Sequence, residues 1–196
     1  AKTAAAALEL RRMWELGFVT KEYLALVHGE MRDAEGHIDL PLGPDETSAV
    51  AIKDCVRPDG ASARTRWWLE RVFSRPEGTF SLLRVRLDTG RKHQIRIHLA
   101  AIGHPLVGDK IYGPDEELFL DFVARRLSEA GRQRLLLPHQ GLHAARLWIP
   151  WNGREREFAS PPEPEFQQFL AGQPVPWPPE EESGAHPVAS PVTSGR

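Results

Sequence analysis

Apolar residues change their spacing along this chain, and each change marks a predicted element. Residues 3–16 are rich in alanine and leucine, with Leu8, Met13 and Leu16 near helical spacing and Gly17 placed to stop the run. That pattern predicts a first helix. Lys21 to Val27 reads as a strand ending at Gly29, and residues 33–48, rich in Gly, Pro and Asp, read as a loop. A short strand is expected from Val50 to Cys55, followed by a turn at Pro58-Asp59-Gly60. From Ala63 to Phe73 the chain alternates. Ala63, Thr65, Trp67 and Leu69 lie on one side, with Arg64, Arg66 and Glu70 on the other, interrupted by Trp68. This is the signature of a strand with one wet face. Pro76-Glu77-Gly78 turns the chain into a second alternating run, Phe80 to Leu87, so an antiparallel hairpin is predicted.

Asp88-Thr89-Gly90-Arg91 breaks that strand. Ile95, Leu99 and Ile102 then repeat at helical spacing until Gly103, which predicts a short amphipathic helix starting near Lys92. Pro105 to Gly113 reads as a loop, Leu118 to Ala130 as one helix, and Leu142 to Ile149 as a strand. Pro150 to Gly153 reads as a hairpin turn, Arg154 to Ala159 as the returning strand, and Pro164 to Ala171 as a last helix. Strands joined by hairpins dominate, so the expected fold class is α+β, a mainly antiparallel or mixed sheet with flanking helices. The stretch 173–196 is dominated by Pro, Gly, Ser and Glu. It has too little apolar surface to offset the entropy of ordering, and a disordered tail is expected after a domain spanning 1–172.

Composition narrows the class. Hydrophobic residues make up 41% and charged residues 27% of 196 residues, as in an ordinary globular domain, and no apolar run is long enough to span a bilayer. Cys55 is the single cysteine. An internal disulfide is therefore excluded and a cytoplasmic location is expected. Formal net charge is −2, and the tail accounts for it, leaving 1–172 neutral. Within that neutral body, Arg84, Arg86, Arg91, Lys92 and Arg96 stand against Asp88 alone between residues 84 and 98. Such a local excess is expected to form a focused basic patch able to hold a polyanion. The alternative is a solvated basic face with no ligand.

The most informative stretch is Thr89-Gly90-Arg91-Lys92-His93-Gln94-Ile95-Arg96-Ile97-His98-Leu99. Gly90 is expected to supply a tight turn into the helix, whose free N–H groups would favour an anion. Arg96 flanks the apolar stripe, where a guanidinium can hold a carboxylate in a two-pronged pair.

The run from Arg86 to Ala100, continuing through Ile102-Gly103-His104-Pro105-Leu106-Val107-Gly108-Asp109-Lys110-Ile111-Tyr112-Gly113, resembles a signature of RluA-type RNA pseudouridine synthases. Lys21-Glu22-Tyr23 upstream, and Leu142-His143-Ala144 and Phe158-Ala159-Ser160-Pro161 downstream, fit the same family in the same order. The resemblance covers about residues 1 to 170. It implies conversion of uridine to pseudouridine in RNA, with ribosomal RNA favoured over transfer RNA as substrate. The target uridine would be flipped out of its stack. No metal or organic cofactor is implied.

Carried over residue by residue, the resemblance makes Tyr23 the tyrosine that packs on the flipped base and helps remove the carbon-5 proton. It makes Arg96 the partner of the catalytic carboxylate and Ile95 an apolar pocket wall. Arg91, Lys92 and Lys21 become candidate backbone contacts to RNA. Asp109 and Tyr112 are expected in structural loop roles, and Gly108 is expected to permit a turn.

One part of the pattern is not found. The family's nucleophilic aspartate sits in a His-Arg-Leu-Asp string, and no such string occurs in the chain. The resemblance puts it upstream of Ala1. The chain is therefore expected to be the C-terminal part of the catalytic domain, inactive alone, with its sheet incomplete at the N-terminal side. The alternative is a catalytically empty RNA-binding protein on the same scaffold. A histidine-based metal hydrolase is disfavoured, because His93 and His98 are five residues apart and off a single helix face, and no His-Glu-x-x-His occurs.

Overall fold

The computed structural model describes residues 2–178. Its elements in chain order are α1 (Ala4–Glu15), β1 (Thr20–His28), β2 (Glu35–Asp39), β3 (Leu42–Pro44), β4 (Asp54–Val56), β5 (Arg64–Arg75), β6 (Gly78–Leu87), α2 (Gln94–Ala101), α3 (Glu117–Val123), α4 (Glu129–Leu135), β7 (Leu142–Trp151), β8 (Arg154–Ala159) and α5 (Pro164–Leu170). Six strands form one sheet in the order β2-β5-β6-β1-β7-β8, every neighbouring pair antiparallel, and β3 and β4 form a small second sheet.

The α+β class follows the alternation read from the sequence. β5 and β6 pair across the two-residue turn Pro76-Glu77. Thr65 and Trp67 are buried, while Arg64 and Arg66 face water, as the one-wet-face pattern requires. Strand alternation also sorts β1. Ala25 and Val27 join one core with Ile95 and Leu99 of α2, while Leu26 joins another with Phe166 and Phe169 of α5. The sheet therefore carries α2 on one face and α5 on the other. The far side of α2 packs Ile97 against Leu42, Val50, Ile111 and Tyr112. Apolar residues on both sides of an eight-residue helix pin it more firmly than its own short hydrogen-bond ladder would.

Several expected boundaries shift, each for a physical reason. The expected loop 33–48 contains β2 and β3. Gly36 reads as a turn residue, yet it lies within β2 because the Trp67 ring crosses it. A Cβ there would meet Trp67 Cζ2 at 2.6 Å. The strand expected over 50–55 falls at Asp54–Val56. The single helix expected over 118–130 is two. Arg125 takes a left-handed φ of 55°, and Ser128 starts α4 by accepting a hydrogen bond from the Gly131 amide at 3.1 Å. The second hairpin turns at Asn152-Gly153, with φ of 50° and 69°, rather than from Pro150. This is the twist that two-residue hairpins favour.

Residues 173–178 lie against the body. Val175 packs against the α5-side core, and the Trp177 ring takes the Lys110 ammonium 5.6 Å from its centroid. The remainder of the expected disordered tail lies outside the described residues. At the sheet's edge, all six residues of β8 are exposed. Helix α1 buries none of its residues and leaves Leu8 exposed, and Leu16 and Phe18 just after it are exposed too.

Candidate active site

The α2 face of the sheet gathers the central candidates. Tyr23 projects there from β1 and packs against the cluster containing Ile95, which is itself buried. The β1–β7 register shifts between Glu22 and Tyr23, so the strand is kinked where it presents the tyrosine. Burial pushes the Tyr23 phenol above its ordinary range. It stays neutral near pH 7, which suits a stacking ring better than a ready proton acceptor.

Arg96 follows Ile95 on α2. Its Nε donates to Asp109 Oδ2 and its Nη2 to Asp109 Oδ1, each at 2.7 Å. The Arg96 guanidinium also lies 4.9 Å from the Tyr112 ring centroid. Asp109 is fully buried and accepts the Ile111 and Tyr112 amides through Oδ1, each at 2.9 Å. The loop that carries it depends on Gly108, whose φ is 75°. A Cβ there would sit 2.2 Å from the His139 carbonyl oxygen. Tyr112 is tied in turn: its hydroxyl accepts the Asp54 amide at 3.1 Å and meets His93 Nδ1 at 2.9 Å. Burial pushes Tyr112 up to about 12. Burial, followed by the nearby charges of Arg96 and Lys92, lowers His93.

The entry to α2 differs from the reading of the sequence. The helix starts at Gln94, and it is His93, not Gly90, that takes the left-handed conformation, with φ of 54°. Gln94 closes the turn. Its Oε1 accepts from Thr89 Oγ1 at 2.8 Å and from the Arg91 amide at 3.0 Å. Its Nε2 donates to the Arg64 carbonyl at 2.9 Å and to Thr65 Oγ1 at 3.0 Å. One turn on, buried His98 meets Thr65 Oγ1 through Nδ1 at 2.8 Å and the Leu40 carbonyl through Nε2 at 2.9 Å. Gln94 and His98 thus lock α2 onto β5. Their i, i+4 spacing was legible, but nothing in the sequence named their partners.

The expected basic patch does not assemble. Arg84 and Arg86 pair with Leu24 and Glu22 across the strands. They therefore share the face of Glu22, opposite Tyr23. There Arg84 meets Glu70 at 2.7 Å and Arg86 meets buried Glu22 at 2.8 Å, with the Trp68 ring 4.7 Å from Arg84. On the α2 side, Arg91 donates to the Ser62 carbonyl at 3.1 Å and Lys92 pairs with Asp54 at 3.0 Å. Lys21 lies 5.2 Å from the Trp14 ring centroid. Arg84 and Arg86 leave β6 on one face of the sheet, Arg91, Lys92 and Arg96 follow in the turn and helix on the other, and each has a local partner.

His104 and His143 are likewise engaged with protein groups. His104 Nδ1 meets the His28 carbonyl at 2.9 Å, and His143 meets Glu163 at 3.0 Å. Among the described residues no cluster of His, Cys, Asp or Glu has the arrangement of a metal site. No helix there is long and apolar enough to cross a membrane.

Tyr23 on the interior strand β1 thus packs beside buried Ile95 of α2, with the restrained Arg96 as the next residue of that helix. A family model described as RNA pseudouridylate synthase matches residues 1–101. An uncharacterized RNA pseudouridine synthase of Chloroflexus aurantiacus is 40% identical over 152 residues, covering 76% of this chain and 41% of that protein. Ribosomal large subunit pseudouridine synthase D of Nitrosomonas europaea is 36% identical over 168 residues, covering 82% and 43% respectively. Among solved structures, human RNA pseudouridylate synthase domain containing 1 superposes with a TM-score of 0.67 at 26% identity, covering 90% of this chain and 75% of that one. The chain belongs to the RNA pseudouridine synthase family, in its RluA-type branch. It spans less than half the length of the two bacterial relatives.

Proposed function

We propose that the protein carrying this chain is an RNA pseudouridine synthase that isomerises uridine in ribosomal RNA and works in the cytoplasm. The observation that carries the reading is the juxtaposition of Tyr23 with Ile95 in one packed cluster, with the restrained Arg96 as the next residue. In this reading a flipped uracil stacks on Tyr23 against the Ile95 wall. Arg96 meets the nucleophilic carboxylate and keeps it ionised, as an adjacent cation does. Arg91, Lys92 and Lys21 then contact the RNA backbone, which fixes position rather than sequence. Their local bonds favour a contributory part. The ribosomal substrate is supported by the names of relatives from Nitrosomonas europaea and Vibrio cholerae, both ribosomal large subunit pseudouridine synthase D.

The nucleophile is not among residues 1–196 in this account, because every aspartate here lacks the His-Arg-Leu-Asp context. Chromatographic nucleoside analysis of a ribosomal RNA transcript tests both statements. The natural protein is expected to produce pseudouridine and the 196-residue chain none. Turnover by the chain alone would overturn the second statement. RNA binding by the natural protein without any pseudouridine would replace the enzyme reading with a non-catalytic one.

A further inference from the structure

Arg96 is held so that it presents one edge. Its side-on edge, Nε and Nη2, is committed to Asp109 at 2.7 Å, and its flat face is covered by Tyr112. Nη1 has no hydrogen bond to a described residue, and it is not among the polar atoms sealed from solvent without a partner. What remains for an incoming anion is the end of the guanidinium: Nη1 and the outer hydrogen of Nη2.

The two groups that restrain it are themselves fixed. Asp109 has no solvent exposure, and its Oδ1 takes the Ile111 and Tyr112 amides as well as Arg96. Spreading the carboxylate charge over these donors leaves positive potential at the far end of the guanidinium. The Tyr112 hydroxyl accepts from the Asp54 amide, so its single hydrogen is best used toward His93 Nδ1. That assignment puts the imidazole proton on Nε2. Three separate segments, around residues 54, 93–96 and 109–112, thus converge on the orientation of one side chain.

We propose that Asp109 and Tyr112 are positioning residues for the isomerisation, holding Arg96 so that only its end meets the reacting carboxylate. This rests on the reading of Arg96 as that carboxylate's partner. An unrestrained arginine would be free to turn its side-on fork to the nucleophile and tie up both of its oxygens. With that fork occupied, the nucleophile keeps an oxygen free for the sugar.

Two measurements test the proposal. The first is the exchange of the Arg96 Nε–H with water, followed by NMR in the chain itself. It is expected to be slow in the wild type and in Tyr112→Phe, which keeps the ring, and faster in Asp109→Asn and Tyr112→Leu. The second is turnover by the natural protein. Asp109→Asn is expected to lower kcat about 100-fold, the cost of roughly 1 Å of misplacement, while KM changes only about 3-fold. Tyr112→Phe should retain most of kcat and Tyr112→Leu lose most of it. If Asp109→Asn does not fold, as read by circular dichroism, the Tyr112 pair decides, and equal losses in Phe and Leu overturn the proposal. Unchanged Nε–H exchange in a folded Asp109→Asn chain also overturns it. A wild-type protein that makes no pseudouridine, yet shows the expected exchange pattern, refutes the functional reading while leaving the restraint of Arg96 standing.

Discussion

Glu22 and Tyr23 are neighbours in β1 that face opposite sides of the sheet: Glu22 is buried among arginines on one side, and Tyr23 meets Ile95 on the other. Arg86 reaches Glu22 at 2.8 Å, with Arg84 at 3.7 Å and Arg146 at 3.8 Å. The ion cluster thus stands directly behind the candidate site, at the kink in β1.

Glu22→Gln is therefore expected to destabilise the fold, because it leaves three guanidiniums around a neutral amide. The expected loss is about 1–3 kcal/mol, the range for an imperfectly satisfied buried polar group. A urea unfolding midpoint equal to wild type would show that the cluster contributes nothing.

Gln94→Ala removes four hydrogen bonds at once and leaves the Arg91 amide without Gln94 Oε1, while the Arg64 carbonyl keeps the Asp88 amide at 3.1 Å. A loss of about 2–4 kcal/mol is expected from the lost hydrogen bonds and a small cavity. Leu99→Ala, at a fully buried position of the same helix, is expected to cost about 2–5 kcal/mol. Urea titration of both variants checks whether hydrogen bonding or packing dominates the docking of α2.

Stability should depend on pH through the histidines. Burial is the leading cause that lowers His28, His93 and His98. The folded state therefore binds protons less readily than the unfolded chain. The stability these groups contribute is fully present above the unfolded value near 6.5 and is lost as pH falls through their folded values. Urea midpoints should drop between pH 7.5 and pH 5. A flat profile over that interval would contradict the burial of these rings as neutral groups.

Gly108→Ala should be poorly tolerated for two independent reasons, a φ of 75° and a Cβ 2.2 Å from the His139 carbonyl oxygen. Thermal melting is the check. A near-native melting temperature would mean that the Asp109 loop relaxes more readily than its packing indicates.

Much of this was legible in the chain. The alternation from Ala63 to Leu87 gave the central hairpin, because each strand has one wet face. The motif from Thr89 to Tyr112 pointed to the family that the family model and the relatives show. Other features were not legible, because they depend on partners distant in sequence. Gly36 looked like a turn until Trp67 was seen to cross it. The run Arg84–Arg96 looked like a patch, but strand alternation sends Arg84 and Arg86 to the far face, and acids from four other segments meet its cations. Asp109 read as a loop residue, and only the fold shows it against Arg96. The tight turn into α2 was expected at Gly90, whereas the left-handed residue before the helix is His93, with φ of 54°.

The most direct test of the account is release of tritium from RNA labelled at uridine carbon 5, measured beside RNA affinity, for the natural protein and its Arg96→Ala variant. The account predicts release by the wild type, none detectable from the variant, and an affinity for RNA that stays within about 3-fold, as expected when the lost interaction serves the transition state rather than binding. Equal loss of turnover and affinity would make Arg96 a backbone contact and contradict the site described for this chain.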